Sequence, residues 1–257
     1  MVDTEEGMDP ISHLGEPLAE FRVGGRWLIQ KLIVAPLLVL LGLAIDIGIL
    51  WVGAIHFLKL LIIGLLLSIG GFMIAVRTYR SRGLRVLVYP EGLVQLQRSQ
   101  NEAFFWDEIV EVRRKKVEGH WAWIWQGAKI LTLKRTNGRQ VAFDDSLPKL
   151  EELGQIVENQ SLPYLLPPAL DQLETGATLQ YGKLRLDLHG LVYEKELLPW
   201  REIKEIKVSE DSITISKKGK WLTWQSVSAD GVANYHVFRA LVGYMLRRNG
   251  AVVKSAE

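Results

Sequence analysis

The sequence predicts a membrane helical hairpin, with two transmembrane helices, followed by a soluble α+β region. Three observations support this fold class. Residues 32–76 form an almost uncharged apolar run, residues 77–250 contain many short segments of alternating apolar and polar residues, and these segments recur in two similar sets. The chain has 257 residues, and residues 77–257 are polar enough to be soluble and too many for a simple tail.

The apolar run is too long for one membrane crossing and suits two. A bilayer core of about 30 Å needs about 20 apolar residues per helix. We therefore predict helices over residues 32–52 and 58–76, joined by a turn at Gly53–Phe57 and preceded by an N-terminal tail, residues 1–31. The alternative is a buried helical pair of a soluble protein, but such helices normally keep a polar face, which this run lacks.

Positive charge predicts the orientation of the hairpin. Lysines and arginines lie before the first helix and after the second: Arg22, Arg26, Lys31, Arg77, Arg80, Arg82 and Arg85. The turn region holds only His56 and Lys59. Because positively charged segments resist translocation, we expect an integral protein of the inner (cytoplasmic) membrane with both termini in the cytoplasm.

Asp46 is an ionisable residue in a costly place. A carboxylate at the centre of a membrane helix costs about 2.5–3.5 kcal/mol on insertion scales. One interpretation is a proton or ion relay, which would suit an accessory subunit of a membrane transport system. The other is a structural residue that is protonated or that pairs with His56 or Lys59.

Small residues on both helices predict that the two helices approach each other closely. They are Ala44, Gly48, Gly64, Ser68 and Gly71. Packing within the hairpin is one explanation for them, and a homo-oligomer formed through the transmembrane helices is the alternative.

The soluble region repeats itself. The segment Arg85–Val94 is similar to Lys183–Val192, and Trp106–Val112 is similar to Trp200–Ile206. Both pairs lie roughly a hundred residues apart, a period too long for a solenoid unit. We therefore predict a duplicated small domain, and the domain boundaries that follow are residues 77–162 for the first copy, 163–176 for a proline-rich linker, 177–250 for the second copy and 251–257 for a tail.

Each copy reads as several short strands closed by one helix. In the first copy, alternation predicts strands over residues 84–89, 93–98, 109–117, 129–135 and 140–143, with Asn137 and Gly138 as a hairpin turn, and a helix over 147–158. In the second copy, strands are predicted over residues 178–181, 183–188, 191–196, 203–208, 212–217 and 221–226, with a helix over 231–248.

This pattern resembles a pleckstrin-homology-like (PH-like) domain, and the chain resembles an uncharacterised bacterial membrane protein family with tandem PH-like domains. The resemblance rests on two Gly-Leu-Val turns, two Trp-x-Glu-Ile segments, the helix start at Asp144–Leu147 and the run Lys218–Trp224. It covers residues 77–250 and implies two PH-like β-barrel or sandwich domains, each closed by a C-terminal helix. It implies no activity, since a fold alone does not fix function.

No motif for catalysis or nucleotide binding is present in the sequence. There is no cysteine, and the five histidines fall in five different contexts without ligand spacing. The net charge of +2 and the lack of a reader motif argue against nucleic acid. We therefore expect a protein that is not an enzyme and that uses no cofactor and no metal.

The predicted interaction patch combines tryptophans with cations in the first copy: Trp121, Trp123, Trp125, Arg113, Arg114, Lys115 and Lys116. Alternate tryptophans on a strand would share one face. Such a surface suits anionic lipid headgroups or a protein partner, while packing of the indoles in the interior is the alternative. We expect a membrane-anchored binding or scaffold module whose protein partner the sequence does not identify.

Overall fold

The computed structural model describes residues 15–52, 58–97, 100–116, 129–209, 212–219, 221, 223–249 and 252–255. The chain divides into two compact units. The helical unit comprises Met1–Tyr89, Val94–Ala103 and Ser146–Pro148, and the β-rich unit comprises Pro90–Leu93, Phe104–Asp145 and Lys149–Glu257. The predicted turn at Gly53–Phe57 and the three tryptophans of the predicted patch lie outside the described residues.

Two long helices dominate the helical unit, α1 (Gly25–Val52) and α2 (Leu58–Ser81). Leu28–Ile49 and Leu60–Tyr79 are long and apolar enough to cross a membrane, and little of either segment is buried. Large apolar side chains such as Leu40 therefore face outward, with 67% of its surface exposed. The two predicted helices are confirmed, although α1 begins earlier and α2 ends later than the apolar run alone indicates.

Glycines bring the two helices into close contact. A Cβ on Gly42 would collide with Oγ of Ser68 and with the carbonyl oxygen of Gly64. Further along the pair, a Cβ on Gly71 would lie 2.8 Å from the carbonyl oxygen of Ala35. The predicted packing through Gly64, Ser68 and Gly71 is confirmed.

The prediction was wrong for Ala44 and Gly48. Both residues are exposed, and a Cβ on Gly48 would meet no atom within 4 Å. The reason is the helical period. Gly42 and Asp46 face α2, and Ala44 and Gly48 each lie two positions further along the helix, on nearly the opposite side.

A four-stranded antiparallel sheet follows the helices and includes one strand that precedes them. Its strands are β1 (Ala19–Arg22), β2 (Arg85–Val88), β3 (Gly92–Gln97) and β4 (Gln100–Phe105), in the order β1-β2-β3-β4. β1 pairs with β2 so that Phe21 lies opposite Val86, and both side chains are buried. The predicted N-terminal tail thus contributes a strand, which its short apolar pattern did not reveal.

The remaining elements belong to the β-rich unit. They are β5 (Ile109–Lys116), β6 (Lys129–Arg135), β7 (Gln140–Asp144), α3 (Leu150–Glu174), β8 (Leu179–Tyr181), β9 (Leu184–Leu186), β10 (Gly190–Tyr193), β11 (Glu196–Pro199), β12 (Ile203–Val208), β13 (Ser212–Lys217), β14 (Thr223–Ser228), α4 (Tyr235–Arg248) and β15 (Val252–Ser255). The sheet orders are β5-β6-β7, β11-β10-β9-β8 and β14-β13-β12-β15, with β15 parallel to β12 and the other pairs antiparallel. The described chain is therefore of the α+β class, as expected.

The helix α3 runs through the segment predicted as a proline-rich linker. It was expected to end at residue 158, but it continues to Glu174 with Pro163, Pro167 and Pro168 inside it. A proline in a helix interior costs about 3 kcal/mol or more. Burial opposes this cost, because the apolar side chains of the continuation pack against the core formed by β8–β14 and α4.

Candidate functional site

Two tryptophans occupy matching environments in the β-rich unit. Trp106 and Trp200 each begin a three-residue 3₁₀ turn, and their exposed fractions are 0% and 2%. The backbone N–H of Trp106 donates to the carbonyl oxygen of Glu91 at 3.1 Å. The backbone N–H of Trp200 donates to the carbonyl oxygen of His189 at 3.2 Å. The expected burial of both indoles is confirmed.

The surroundings of these turns match as well. A Cβ on Gly92 would collide with the carbonyl oxygen of Phe104, and one on Gly190 with the carbonyl oxygen of Leu198. Only glycine permits such a close approach of two backbones. The glycine of each Gly-Leu-Val turn is therefore needed for the same reason, the close approach of a neighbouring backbone carbonyl.

An ion pair closes each turn at its other end. Nη2 of Arg135 lies 2.7 Å from a carboxylate oxygen of Glu108, and Nζ of Lys217 lies 2.7 Å from one of Glu202. Each acidic residue is the last of its 3₁₀ turn, and each cation lies at the end of the facing strand.

The outer edge of β5 is covered by the chain itself. The segment before α4, residues 229–234, lies along this edge and is called here the edge segment. The N–H of Gly231 donates to the carbonyl oxygen of Arg114, and the N–H of Asn234 donates to that of Val112, both at 2.8 Å. The side-chain oxygen of Asn234 accepts a further bond from the N–H of Val112 at 2.8 Å.

Two more side-chain contacts hold the edge segment. Nδ2 of Asn234 donates to the carbonyl oxygen of Val110 at 2.9 Å, and a carboxylate oxygen of Asp230 accepts from the N–H of Lys116. Asn234 has a φ of 52°, a left-handed conformation that asparagine tolerates better than most residues. The edge segment thus pairs with much of the outer edge of β5, so strand addition by a partner would have to displace it.

The four cations of the predicted patch do not share one surface. Arg113, Lys115 and Lys116 are exposed, whereas Arg114 is half-buried. Successive side chains of a strand point to opposite faces, so Arg113 and Lys115 leave one face of β5 and Arg114 and Lys116 the other, although Lys115 and Lys116, at the end of the strand, both line the cleft described below. Arg113 pairs with Glu111, with an N–O distance of 2.6 Å.

The tryptophans of the predicted patch belong to the connection between β5 and β6. Lys116 pairs with Lys129, so the described part of this hairpin ends at two lysines. The prediction that Trp121, Trp123 and Trp125 form an exposed surface remains a prediction, because all three lie outside the described residues.

A small cleft lies beside this hairpin end, between β5, β6, the start of α3 and the edge segment. Its volume is about 110 Å³. We call it the basic cleft, and its charged lining residues are Arg114, Lys115, Lys116, Lys129, Glu151, Glu158 and Asp230. Sites for metabolites usually occupy 300–1,000 Å³, so the volume suits a single small group such as a phosphate or a carboxylate.

Arg114 forms the inner wall of the basic cleft. Its Nη2 lies 2.9 Å from a carboxylate oxygen of Glu151, and its Nε lies 3.5 Å from one of Glu158. The guanidinium lies against Gly154, where a Cβ would be 2.7 Å from Nε. The absence of a side chain at this position of α3 lets the arginine reach both glutamates.

Glu151 is surrounded by cations. Nζ of Lys129 lies 2.5 Å from its Oε1. Partial burial raises the pKa of Glu151, but the hydrogen bond from Lys129 and the charges of Arg114, Lys129 and Lys116 outweigh it, so the pKa is lowered overall. Glu151 is therefore ionised at neutral pH, and it neutralises part of the charge of Arg114 and Lys129.

The side chains of Lys115 and Lys116 are exposed to solvent. Within the part of the chain that the structure describes, no carboxylate forms an ion pair with either ammonium group. These two lysines are thus the cations of the basic cleft that remain available to an external anion.

A buried histidine lies between α3 and α4. Nε2 of His236, at the start of α4, lies 3.3 Å from Oγ of Ser161 on α3. Burial, with smaller contributions from the charges of Arg114 and Arg239, lowers the pKa of His236 to about 4. The imidazole is therefore neutral at neutral pH and joins the two helices.

Asp46 projects from α1 against α2. Its Oδ1 is buried where a Cβ on Gly64 would collide with it, and it accepts no hydrogen bond from any described residue. Oγ of Ser68 is also buried without a hydrogen bond among the described residues. The predicted pairing of Asp46 with His56 or Lys59 involves side chains outside the described part of the chain.

One family model matches nearly the whole chain, residues 4–251; its description is "Family of unknown function (DUF6585)". The chain belongs to this family. No curated protein matches the chain. Membership confirms the expected resemblance to an uncharacterised family, while the description names neither PH-like domains nor a membrane.

In this DUF6585 protein, sequence reasoning missed several residues of the site. Glu151, Glu158, Asp230 and Asn234 approach β5 from segments far away in the sequence. The Asp230-Gly231 pair was a detectable signal, since such residues mark turns. Nothing in the sequence indicated that this turn lies on β5 rather than in solvent.

A fully exposed tryptophan of this DUF6585 protein was also missed as a surface residue. Trp221, between β13 and β14, has a relative exposure of 102%. Its neighbour Trp224 instead lies along β14, where its Nε1 donates to Glu196 at 2.8 Å. The run Lys218–Trp224 contributed to the resemblance, but its pattern did not distinguish an outward indole from a packed one.

Proposed function

We propose that this DUF6585 protein is a membrane-anchored binding module without catalytic activity, which holds two PH-like domains at the cytoplasmic face. The anchor is α1 and α2, whose apolar surfaces are mostly exposed and would otherwise contact water. A polypeptide can cross lipid as a helix because its backbone polar groups are satisfied internally.

The matching environments of Trp106 and Trp200 support the duplication. Sheet order supports it too. The order β1-β2-β3-β4 is followed by β5-β6-β7 and α3, and the order β8-β9-β10-β11 is followed by β12-β13-β14 and α4. In this alignment β1 corresponds to β8, so the first PH-like domain begins before the membrane hairpin.

The membrane hairpin then occupies the position of a tight turn. In the second copy, Gly182 and Lys183 connect β8 to β9. In the first copy, residues 23–84 connect the equivalent strands β1 and β2. The helices are an insertion in the first PH-like domain, and two connections rather than one attach that domain to the membrane.

The binding site is the basic cleft together with the end of the β5–β6 hairpin. The observation that carries this proposal is the position of Lys115 and Lys116, two cations beside a cleft of about 110 Å³ and next to a connection that contains three tryptophans. The ligand is an anionic group, either the phosphate of a lipid headgroup or a carboxylate of an acidic partner segment.

Lysine reactivity tests this site in the full-length chain. The protein is placed in nanodiscs of phosphatidylcholine, with or without phosphatidylglycerol, and acetylation of individual lysines is followed by mass spectrometry. We expect the anionic lipid to slow the acetylation of Lys115 and Lys116 several-fold at low salt, and high salt to abolish the effect. Lys195, exposed between β10 and β11, is the matched control and should react equally in both lipids.

An acidic peptide distinguishes the two sources of the anion. If phosphatidylglycerol has no effect but a soluble hexaglutamate peptide protects Lys115 and Lys116, the site recognises acidic protein segments. Protection by neither probe would contradict the proposed site.

A second candidate function is that of an accessory subunit of a membrane transport system. The buried Oδ1 of Asp46, without a hydrogen bond among the described residues, favours it. Replacement by asparagine tests it. A relay requires proton exchange, so Asp46→Asn would abolish proton or ion flux in proteoliposomes, whereas a structural carboxyl group would tolerate the change.

A further inference from the structure

We propose that Arg22, Arg82 and Arg85 form a binding site for the anionic headgroups of the cytoplasmic leaflet at the base of the first sheet. The proposal rests on the membrane insertion of α1 and α2 proposed above. It shares no residue with the basic cleft, and all three arginines belong to the helical unit.

The depth of these arginines follows from the length of the helices. The segment Leu60–Tyr79 has 20 residues, which corresponds to about 30 Å of helix and to the thickness of a bilayer core. Tyr79 therefore lies at the cytoplasmic boundary, where tyrosine is favoured, and 64% of its surface is exposed. Arg82 and Arg85 follow it directly, within the headgroup layer.

The first helix leads to the same depth independently. The first span begins at Leu28, and the second span ends at Tyr79. The number of residues from Arg22 to Leu28 equals the number from Tyr79 to Arg85. The strand register agrees, because Arg22 and Arg85 are directly opposite each other on β1 and β2. The spacing from the two spans and the strand register thus both place Arg22 and Arg85 at the same depth relative to the membrane.

The local charge balance calls for an external anion. Directly opposed like charges on neighbouring strands are destabilising. Among the described residues, Glu20 pairs with Arg22 at an N–O distance of 2.5 Å, and Arg85 also acts on this carboxylate. The charges of Arg22 and Arg85 contribute to a lowered pKa of Glu20, in which its hydrogen bond from Arg22 is the largest effect. Three arginines and one glutamate leave the site positively charged.

Arg82 extends the site toward the bilayer. Its guanidinium lies 5.9 Å from the centre of the Tyr79 ring, a cation–π distance. A lipid phosphate at this level would contact Arg82 and Arg85 while the ring of Tyr79 stays at the interface. The site needs no pocket, since an arginine binds phosphate through two parallel hydrogen bonds.

The second copy offers a matched control. Lys183 occupies the position of Arg85 in the repeat, and it is exposed in the tight turn between β8 and β9, where no helix is inserted. If lipid contact depends on the inserted hairpin, a cation at Lys183 should contribute nothing to it.

Spin-labelled lipids measure the preference directly. The full-length chain is reconstituted in phosphatidylcholine, and electron paramagnetic resonance gives the association constant of labelled phosphatidylglycerol relative to labelled phosphatidylcholine. We expect a preference for the anionic lipid that falls about fivefold for each of Arg82→Gln and Arg85→Gln, since one interfacial cation contributes about 1 kcal/mol. Lys183→Gln should leave the preference unchanged.

Equal preference in the Arg82→Gln/Arg85→Gln variant and the parent would overturn the site, as would an equal loss in Lys183→Gln. A chain that fails to incorporate into the bilayer would overturn membrane insertion itself and, with it, this site. Normal incorporation without a headgroup preference would overturn only the arginine site. Protection of Lys115 and Lys116 in the acetylation experiment is independent of each of these results.

Discussion

The guanidinium of Arg114 lies directly on Gly154, in the space that a β-carbon would occupy. This contact joins β5 to α3 and orients Arg114 toward Glu151 and Glu158. It also explains a glycine in the first turns of a long helix, where alanine would be favoured by about 1 kcal/mol.

A double-mutant cycle tests this relationship. In the parent, Gly154→Ala should gain little stability or lose some, because the new methyl group displaces Arg114 from its two glutamates. In an Arg114→Met background the same change should stabilise the protein by about 1 kcal/mol, the intrinsic helix preference. Urea unfolding measures both values, and equal effects in the two backgrounds would show that Arg114 and Gly154 are not coupled.

Trp200 and Trp221 form a matched pair for testing the core formed by β8–β14 and α4. Trp200→Ala should cost about 3–5 kcal/mol, because the indole is buried in the core. Trp221→Ala should change the free energy of unfolding by less than about 0.5 kcal/mol, because its side chain is fully exposed. Similar losses in the two variants would show that the hairpin tip at Trp221 is packed.

Acid should destabilise the β-rich unit through His236. The folded pKa of about 4 lies below the ordinary value of 6.5, so between these pH values the unfolded chain binds a proton that the folded chain does not. Stability is therefore complete above pH 6.5 and is lost progressively as the pH falls to about 4, by up to about 3 kcal/mol. The test is denaturant unfolding at pH 7, 5.5 and 4.5.

The variant His236→Gln removes the titrating group and isolates its contribution. We expect its stability to depend less on pH than that of the parent between pH 6.5 and 4. Glu151 contributes at lower pH, since its lowered pKa makes its stabilising charge disappear below its ordinary value. Identical pH profiles for the parent and His236→Gln would contradict the assignment.

Excision of the membrane hairpin tests the proposed insertion. Replacing residues 22–85 by the two residues Gly-Lys, which stand between β8 and β9 in the second copy, should yield a soluble protein in which Phe21 still lies opposite Val86. A fragment of residues 83–250 lacks β1 and leaves Val86 without the cover of Phe21, so it should be less stable than the excision variant and prone to aggregate. Thermal unfolding and light scattering compare the two.

Local patterns predicted much of this fold. The apolar run indicated both long helices, and period-two alternation with Asn137 and Gly138 indicated the β6–β7 hairpin. The strand β1 and the continuation of α3 were missed for one reason. Both are stabilised by partners elsewhere in the chain: β1 pairs with β2, and the continuation of α3 packs against the core formed by β8–β14 and α4.

The site was less predictable than the fold. The sequence indicated one basic patch formed by Arg113, Arg114, Lys115 and Lys116. In the structure, their side chains alternate between the two faces of β5, and Glu151 neutralises part of the charge beside them. The contact of Asn234 with β5 depends on how two segments over a hundred residues apart pack together. No local pattern encodes that packing.

Accessibility of single cysteines tests the membrane-anchored arrangement most directly. The chain has no cysteine, so Gly53→Cys and Lys195→Cys each introduce one thiol, the first between the sequences of α1 and α2 and the second between β10 and β11. A maleimide that does not cross membranes is added to intact cells expressing each variant. We expect labelling of Gly53→Cys in intact cells and of Lys195→Cys only after lysis, whereas labelling of Lys195→Cys in intact cells, or of neither thiol before lysis, would contradict the membrane-anchored arrangement.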